Sequence, residues 1–407
     1  MKVALVCDWL TNVGGAEKVL LELHRLYPKA PIYTSKYSRR GIDWFDDADV
    51  RTGWLQVFPA RLRRFLGPLR QRWFSHLDLS EYDLIISVTG AEAKAVKSGK
   101  RLHEEGKSNV KNPNGLHISY CHVPTQYYWQ MYDDYVENPG FGVLNPVVRF
   151  FFKLMVKPLR KADFKASQVP DFYVTSSEYA KELISKYYKR EAVVIHPPVE
   201  VEVFRSREDT SRTRVARARR HGARALILGR DLRNVLEVPF STPYYITTSR
   251  QVNWKRLDLA VKACKELGRE LLVIGEGPEH NKLVKLSNGS ENIKFLPFVE
   301  KSELVKYLAG AKGYLFPSME PFGIAPVEAL AAGCPVIAYG KGGALDYVKD
   351  GVNGMLFDKQ TVKSVREAIL RFEKKKFDVE KVSKSVENFS VNRFDKEIKD
   401  LVREKAE

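Results

Sequence analysis

The chain has 407 residues, of which 44% are hydrophobic, 11% aromatic and 29% charged. Since a domain usually holds about 100–200 residues, this length predicts two or three domains, and the apolar content excludes a disordered chain. The net charge of +17 indicates an anionic partner such as phosphate, nucleic acid or an acidic membrane surface.

The first half of the chain alternates short apolar runs with amphipathic segments. Apolar runs predict strands at residues 3–8, 84–88, 117–121, 172–175 and 193–196. Residues 16–27 predict a helix with Val19, Leu20 and Leu23 on one face, ended by Pro28. This alternation is typical of a parallel sheet covered by helices.

The second half repeats the pattern after an irregular, Arg-rich stretch. Strands are predicted at residues 244–248, 271–274, 293–296, 314–316 and 336–338, with helical segments between them. The chain ends in a charged amphipathic segment at 393–407 that no strand follows. Two α/β domains of similar size are therefore expected.

The start of the chain and its cysteines predict a cytosolic protein. Met1-Lys2 leads directly into the apolar run 3–8, without the longer stretch and cleavage site of a signal peptide. Residues 112–132 lack Lys, Arg, Asp and Glu but contain Pro113 and Pro124, which disfavours a membrane-spanning helix. The cysteines form no CxxC pair and are expected to be reduced thiols; they are Cys7, Cys121, Cys264 and Cys334.

Two glutamates lie in the segment EPFGIAPVEALAAGCP, which begins at Glu320. Pro326 suits the first turn of a helix and Gly333 its C-terminal end, so Glu320 precedes the helix and Glu328 lies in it. The amides and positive dipole end of a helix N-terminus favour an anion such as a diphosphate. The structural alternative is a capping Glu and a solvated helical Glu, but the Pro-Phe-Gly and Ala-Ala-Gly context favours a binding site.

This segment resembles the E-x7-E motif of the retaining glycosyltransferases of family GT4, and further motifs match in the expected order. Arg250 and Lys255 resemble the family's R-x4-K phosphate clamp, and residues 12–17 (NVGGAE) resemble its glycine loop. Other matches lie at 273–278 (VIGEGP), 317–318 (PS), 342–348 (GGALDYV) and 351–357 (GVNGMLF). Within the family, residues 117–129 and 193–204 are most similar to bacterial surface-polysaccharide mannosyltransferases.

The resemblance implies the GT-B fold, an α/β architecture of two Rossmann-like domains that face each other across a cleft. We expect an acceptor-binding domain at 1–196 and a nucleotide-sugar-binding domain at 197–386, with an Arg-rich connector at about 205–240. Residues 387–407 would form a helix that packs back on the first domain.

Retaining transfer passes through an oxocarbenium-like sugar with a departing nucleoside diphosphate, whose negative charge must be neutralised. Arg250 and Lys255 would bind the diphosphate oxygens and provide the main countercharge in place of a metal; otherwise they are an ordinary solvated pair. By resemblance, Glu320 contacts the sugar hydroxyls and Glu328 the ribose hydroxyls, and neither is a general base. The implied donor-binding residues are Gly14, Gly15, Arg250, Lys255, Glu320, Phe322, Gly323, Ile324 and Glu328.

Two further candidates lie in the first half. Gly14 and Gly15 have no Cβ and precede a helix, so their amides can approach a phosphate, although a Gly-Gly turn is often only structural. His122 follows a predicted strand, where a lone His is more often a core residue, but the family places its sugar-contacting His there. His122 therefore completes the predicted catalytic set with Arg250, Lys255 and Glu320. Val123 and Gln126 depart from the family's His-Thr-Pro-x-Arg-Tyr pattern, which concerns acceptor binding.

We expect no metal and no cofactor other than the nucleotide-sugar co-substrate. The histidines show no HExxH spacing, and Asp47 and Asp49 match a DxD motif by spacing alone.

Nearly all of the excess positive charge lies in residues 59–74, 149–165 and 205–224. The first two segments interleave Arg and Lys with Leu, Phe and Trp, which is typical of a membrane-surface element and equally of a packed helix with a basic outer face. Residues 205–224 hold few large apolar side chains and predict a loop or linker without an assigned function. The predicted membrane or acceptor contacts are Arg61, Arg63, Arg64, Arg70, Arg72 and Trp73.

The sequence thus predicts a retaining, metal-independent glycosyltransferase that moves a hexosyl group from a GDP- or UDP-hexose to a lipid-linked or polysaccharide acceptor in cell-envelope glycan synthesis. Mannosyl transfer from GDP-mannose is the specific expectation, at the inner face of the cell membrane and on an anionic surface. Two alternatives stay open: a transferase or sugar phosphorylase of the same fold with a soluble acceptor, and a nucleic-acid-binding protein that uses the basic segments. We expect no nucleic-acid partner.

Overall fold

The computed structural model describes residues 1–59, 66–137, 142, 145–205 and 243–406. They divide into two units, one formed by Met1–Pro198 with Asn392–Glu407 and the other by Val199–Val391. Each unit has its own parallel sheet with helices between most successive strands, so the two Rossmann-like α/β domains expected from the sequence are present.

The first unit contains the following elements. Its strands are β1 (Val3–Cys7), β2 (Ile32–Thr34), β3 (Val50–Arg51), β4 (Leu84–Thr89), β5 (Leu116–Cys121), β6 (Phe172–Thr175) and β7 (Val193–Val194). Its helices are α1 (Gly15–Leu26), α2 (Gly67–Ser75), α3 (Gly99–Glu104), α4 (Tyr132–Glu137), α5 (Asn145–Ser167) and α6 (Glu178–Tyr188). In the described part, the sheet order is β3-β2-β1-β4-β5-β6-β7.

The strands at the centre of this sheet are buried and mostly apolar because helices cover both faces. Every residue of β1 and β4 is buried, and the two strands pair in parallel with Leu5 opposite Ile86. Strands β2 and β3 were not predicted. They have three and two residues, too few to show a periodicity, and they form by pairing outward from β1, with Ile32 opposite Leu5.

The second unit contains the following elements. Its strands are β8 (Tyr245–Thr248), β9 (Leu271–Ile274), β10 (Ile293–Leu296), β11 (Gly313–Phe316), β12 (Val336–Tyr339) and β13 (Gly354–Phe357). Its helices are α7 (Val201–Arg205), α8 (Leu257–Leu267), α9 (His280–Ser287), α10 (Lys301–Gly310), α11 (Ile324–Ala331), α12 (Ala344–Tyr347), α13 (Val362–Glu373) and α14 (Val379–Lys384). Over the described residues, the sheet order is β10-β9-β8-β11-β12-β13.

The five strands predicted in this half are confirmed, and β13 is an additional one. Helix α11 begins at Ile324 with Pro326 in its first turn, and Gly333 adopts a left-handed φ of 71° just beyond its end. Glu320 therefore precedes α11 and Glu328 lies within it, as the proline and glycine positions predicted.

The last helix, α15 (Val391–Ala406), packs on the first unit. Phe394, Ile398 and Leu401 recur at helical spacing on one face and are buried in the same core cluster as Leu5 and Ile86. The amphipathic pattern at the end of the chain thus supplies one wall of the first unit's core.

Candidate active site

The predicted donor-binding residues lie at the carboxyl ends of β8 and β11. In the second sheet, β9 and β10 lie on one side of β8, and β11, β12 and β13 lie on the other side. The order of the strands therefore reverses between β8 and β11. The loops that follow strands on the two sides of such a switch point diverge and leave a crevice, where open α/β sheets bind ligands. Arg250 and Lys255 follow β8, and Ser318 and Glu320 follow β11.

Lys255 and Glu320 form an ion pair in this crevice. The Lys255 Nζ lies 2.5 Å from Glu320 Oε1, and the two side chains are only 16% and 12% exposed. The Ser318 hydroxyl donates to the same Oε1 at 2.8 Å, and the Lys255 ammonium lies 4.5 Å from the centroid of the Trp254 ring. The structure thus brings together two residues that the sequence assigned to separate motifs.

Arg250 lies two residues beyond β8 and is exposed. Among the described residues no carboxylate pairs with its guanidinium, so its donors are available to an anion. Its loop is held by the next residue, Gln251, which is fully buried. The Gln251 amide donates to the Gly275 carbonyl at 2.5 Å, and its Oε1 lies 2.9 Å from His280 Nδ1. Sequence reasoning missed Gln251 because nothing in the local pattern marks a buried amide.

The loop that carries Glu320 is fixed by close backbone contacts. Gly343 N donates to the Glu320 carbonyl at 2.9 Å, and a Cβ at Gly343 would lie 2.3 Å from the Pro321 oxygen. Gly323 has a φ of 93°, where a side chain is strained, and a Cβ there would lie 2.7 Å from Phe316 Cζ. Both positions therefore require glycine.

Phe322 and Tyr347 extend this support. The Phe322 side chain is 4% exposed and packs edge-on against the Tyr347 ring, and the Tyr347 hydroxyl donates to the Phe322 carbonyl at 2.8 Å. The side chain of Phe322 thus acts as a core contact beneath the loop. Ile324 begins α11 and is half-buried, and Glu328 is 8% exposed. Donor contact by Phe322, Gly323, Ile324 and Glu328 stays a prediction.

Tyr314 ties the ends of β8 and β11 together. Its hydroxyl donates to the Thr248 carbonyl at 2.9 Å and lies 3.2 Å from the Thr248 amide nitrogen. Burial, with added repulsion from the Glu320 and Glu328 carboxylates, raises the pKa of Tyr314 above its usual value. Tyr314 is therefore a neutral hydrogen-bonding group that fixes the spacing of the two strand ends.

In the first unit, Gly14 and Gly15 lie at the start of α1, after β1. Gly14 is the extended N-cap, and Gly15 is exposed. Strand β1 lies between β2 and β4, so this helix N-terminus also stands at a switch point of its sheet. Asp8 was missed by sequence reasoning; its buried carboxylate accepts hydrogen bonds from the amides of Gly90 (2.9 Å) and Ala93 (2.7 Å), which joins the ends of β1 and β4.

His122 follows β5, as predicted, and its amide donates to the Thr89 carbonyl at 2.9 Å. Its ring lies edge-on to Tyr120 at 5.2 Å, and its buried Nε2 has no hydrogen-bond partner among the described residues. Burial lowers the pKa of His122 to about 4. The ring is therefore neutral at physiological pH, and its Nε2 is available to hydrogen-bond a ligand.

The segment after His122 is anchored by a buried ion pair between Lys94 and Asp163, whose Nζ and Oδ1 are 2.7 Å apart. The Thr125 hydroxyl donates to Asp163 Oδ1 at 2.8 Å, and the Trp129 indole donates to Oδ2 at 2.7 Å. Because Asp163 lies in α5, this cluster links α5 to the segment that carries His122.

The structure contradicts a membrane contact by Arg70, one of the predicted membrane or acceptor residues, and its acceptor contact stays a prediction. Its side chain is 3% exposed, and the guanidinium donates to both Glu92 carboxylate oxygens, at 2.9 and 3.1 Å. A buried and paired guanidinium does not reach lipid headgroups, so the membrane role predicted for Arg70 is wrong. Arg72 is exposed and Trp73 half-buried, and their role stays a prediction. Arg61, Arg63 and Arg64 lie outside the described residues, as does the Arg-rich connector from residue 206 onward.

Within the described ranges, no three His, Cys, Asp or Glu side chains cluster so that they could hold a metal ion, and the four cysteines are buried free thiols. No helix in the described part of the chain is long and apolar enough to span a bilayer.

Residues 230–390 match the family model described as "Glycosyl transferases group 1", which is less than half of the chain. A glycogen synthase of Xanthomonas axonopodis pv. citri (strain 306) is 34% identical over 137 residues, which cover 32% of this chain and 29% of that protein. The chain therefore spans less than a third of the length of this curated relative.

Solved structures match over nearly the whole chain. Alr3699/HepE of Anabaena in complex with UDP has a TM-score of 0.66 at 17% identity, covering 99% of this chain and 100% of that one. The lipopolysaccharide outer core galactosyltransferase WaaB in its apo form has a TM-score of 0.64 at 15% identity, covering 100% of both chains. At these identities the likeness establishes the fold, and the chain has the GT-B fold expected from its motifs.

Proposed function

We propose that this protein is a retaining, metal-independent glycosyltransferase that moves a hexosyl group from a nucleotide sugar to a lipid-linked or polysaccharide acceptor. The observation that carries the proposal is the Lys255–Glu320 pair at the switch point of the second sheet. Both residues lie within the stretch that matches the glycosyltransferase family model.

The site suits a leaving nucleoside diphosphate. Arg250 and Lys255, five residues apart, place a guanidinium and an ammonium in the segment that follows β8. Two cations can neutralise the charge that develops as the sugar–phosphate bond breaks. Interactions that strengthen as this charge develops stabilise the transition state more than the bound donor. In this proposal Lys255 and Arg250 therefore supply the countercharge that a metal provides in other transferases.

Glu320 would orient the donor sugar. Its Oε1 is occupied by Lys255 and Ser318, and its second oxygen can accept a hydrogen bond from a sugar hydroxyl. Glu328, in the first turns of α11, would accept from the ribose hydroxyls. Neither carboxylate is assigned proton transfer in this scheme.

In the first unit, His122 and the glycine loop are proposed to bind a sugar hydroxyl and a phosphate oxygen. A neutral imidazole with an unpartnered Nε2 suits a hydrogen bond with a sugar hydroxyl better than a charge interaction with phosphate. The amides of Gly14 and Gly15, at the positive end of the α1 dipole, suit a phosphate oxygen.

The donor and acceptor are proposed by class. HepE was solved with UDP, and WaaB is named a galactosyltransferase of the lipopolysaccharide outer core, which supports a nucleotide-hexose donor and a lipid-linked glycan acceptor. Membership of family GT4 rests on the resemblance of the motifs that contain Glu320, Glu328, Arg250 and Lys255. Mannosyl transfer from GDP-mannose rests on the resemblance of residues 117–129 and 193–204. Cell-envelope glycan synthesis at the inner face of the membrane, with the protein held peripherally, is the setting that fits these partners.

A soluble glucan acceptor is the second candidate, because the curated relative with 34% identity is named a glycogen synthase. The two candidates share the donor site and differ in the acceptor. They are separated by whether transfer depends on a lipid-linked acceptor or proceeds on a soluble oligosaccharide.

The test is a screen of purified protein with UDP-glucose, UDP-galactose, GDP-mannose and ADP-glucose, each with and without EDTA. Release of the nucleoside diphosphate is measured with a lipid-linked acceptor and with a soluble oligosaccharide. We expect one donor to be consumed in the presence of EDTA and the lipid-linked acceptor to be preferred. Abolition of all transfer by EDTA would overturn metal independence, and no release from any donor would overturn the assignment as a glycosyltransferase.

A further inference from the structure

Helix α5 carries an apolar stripe on its solvent-facing side. Phe150 is 65% exposed, Phe151 58% and Leu154 62%, and Val147 and Met155 are also exposed. Their positions follow the i, i+3, i+4, i+7, i+8 spacing of one helical face. Scattered single apolar residues are ordinary on a surface, but a contiguous patch of large side chains marks an interaction site.

The charges on α5 are all of one sign where the helix meets solvent. Lys153, Lys157 and Lys161 are exposed beside and beyond the stripe. The helix contains one acidic residue, Asp163, and this is 2% exposed in its ion pair with Lys94. The exposed side of α5 therefore presents large apolar side chains together with cationic ones and no carboxylate.

The opposite side of α5 is already packed against the first unit. Val156 is buried, the Phe152 ring packs against Tyr132 at 5.6 Å, and the Arg160 guanidinium donates to the Tyr128 carbonyl at 2.6 Å. Because these contacts fix the helix, its apolar stripe is not needed to hold α5 on the domain. The stripe is available for an external partner.

We propose that this face of α5 docks on an anionic lipid bilayer. Phe150, Phe151 and Leu154 enter the boundary between headgroups and acyl chains, and Lys153, Lys157 and Lys161 lie at the lipid phosphates. Amphipathic interfacial helices bind membranes in this way, with apolar side chains in the bilayer and cationic side chains at the headgroups. A second copy of the chain is the poorer occupant, because it would bring like charges together and because lysine is depleted at protein interfaces.

The inference deepens the proposed function, because a membrane-linked acceptor must be reached from the bilayer surface. Asp163 of α5 bonds Thr125 and Trp129 in the segment that follows His122. Docking through α5 would therefore hold the lipid surface next to the part of the first unit to which acceptor contact is assigned. It also distinguishes between the two basic-aromatic segments of the sequence: the proposed contact is residues 149–165, whereas Arg70 in the first segment is buried.

The test is vesicle binding by the full chain without donor or acceptor. Vesicles of phosphatidylcholine alone are compared with vesicles that also contain phosphatidylglycerol. The apolar variant is Phe150→Ser/Phe151→Ser/Leu154→Ser, and the charge variant is Lys153→Gln/Lys157→Gln/Lys161→Gln. The matched control is Phe298→Ser/Val352→Ser, which changes similarly exposed apolar residues in the second unit, 63% and 59% exposed.

We expect the wild type and the control to bind the anionic vesicles and to bind the neutral ones weakly. The apolar variant should lose at least about tenfold in partitioning, and the charge variant should lose the preference for anionic lipid. Equal binding by the wild type and the apolar variant would overturn the proposal, as would equal binding to both kinds of vesicle. Light scattering that shows a wild-type dimer and a monomeric apolar variant would instead assign the face to a second copy.

Nucleoside diphosphate release, measured on the same preparations with a detergent-soluble acceptor analogue, separates this proposal from the proposed function. The apolar variant should keep its release rate while losing vesicle binding. Vesicle binding in a wild type that consumes no donor would reject the glycosyltransferase assignment and leave the docking face in place.

Discussion

The Lys255–Glu320 pair allows a structural role to be separated from a chemical one. Lys255→Met removes the ammonium and leaves the Glu320 carboxylate, 12% exposed, with the Ser318 hydroxyl as its remaining partner among the described residues. Removing one member of a buried ion pair costs about 3–5 kcal/mol in folding free energy, and the residual exposure favours the lower end. For a unit of this size, about 3 kcal/mol corresponds to a fall of roughly 6–12 °C in Tm.

Glu320→Gln is the reciprocal change. The glutamine has nearly the same shape and still accepts from Ser318, but it leaves the Lys255 ammonium, 16% exposed, without a counterion. In the double variant Lys255→Met/Glu320→Gln neither charge remains, and exchange of a whole buried pair for neutral groups is close to neutral for stability. We therefore expect both single variants to melt below the wild type and the double variant to recover most of the loss.

Activity should not recover with stability. A charge-assisted hydrogen bond contributes about 1.5–3 kcal/mol, so loss of the Lys255 contact to diphosphate lowers kcat/KM by about 10- to 150-fold. Loss of the Glu320 contact to the sugar adds to this, and the double variant should fall at least about 100-fold. The assays are thermal melting and initial rates of nucleoside diphosphate release. A double variant whose activity returns together with its Tm would show that the pair is only structural and would refute the site assignment.

The remaining predictions concern Arg250 and His122. Arg250→Ala should lower kcat/KM by about 10- to 150-fold, with little change in Tm because the side chain is exposed. The control is Lys294→Ala, which removes an exposed cation on β10. Equal rates in the two variants would contradict a role for Arg250 in diphosphate binding. Burial lowers the pKa of His122 from 6.5 to about 4, so its neutral form contributes stability that is complete above pH 6.5 and is lost as the pH falls towards 4. The Tm of His122→Gln should therefore fall less than that of the wild type between pH 7 and pH 5; parallel curves would contradict the burial argument.

The fold was largely readable from the sequence because buried parallel strands are continuous apolar runs. The strands at 84–88, 271–274 and 336–338 were predicted from such runs and are confirmed as β4, β9 and β12. Strands β2 and β3 were not predicted because three and two residues carry no periodicity. They are strands because β2 pairs with β1 and β3 pairs with β2, rather than because of local preference. The amphipathic end of the chain showed that a helix forms there, since its apolar spacing is local.

The basic segments show where local pattern fails. In residues 59–74 the interleaved Arg and apolar side chains predicted an exposed surface, but Arg70 is bonded to Glu92, 22 residues away. The same kind of pattern in α5 leaves Phe150 and Leu154 exposed. Residues 59–74 and 149–165 have similar compositions. They differ in tertiary contacts: Glu92 pairs with Arg70 in the first segment, whereas the opposite face of α5 is the one that packs in the second.

The sequence by itself determined the alternation of strands and helices, the glycine and proline positions that begin and end α11, and the motifs that contain Lys255 and Glu320. These features depend on residues close together in the chain. The tertiary structure decided that Lys255 and Glu320 meet, that Asp8 joins β1 to β4, and that the apolar stripe of α5 faces outward. Such contacts join segments that are distant in sequence, so they depend on the order of the strands in the sheet. Burial then decides whether a charged side chain needs a partner and whether an apolar side chain is covered.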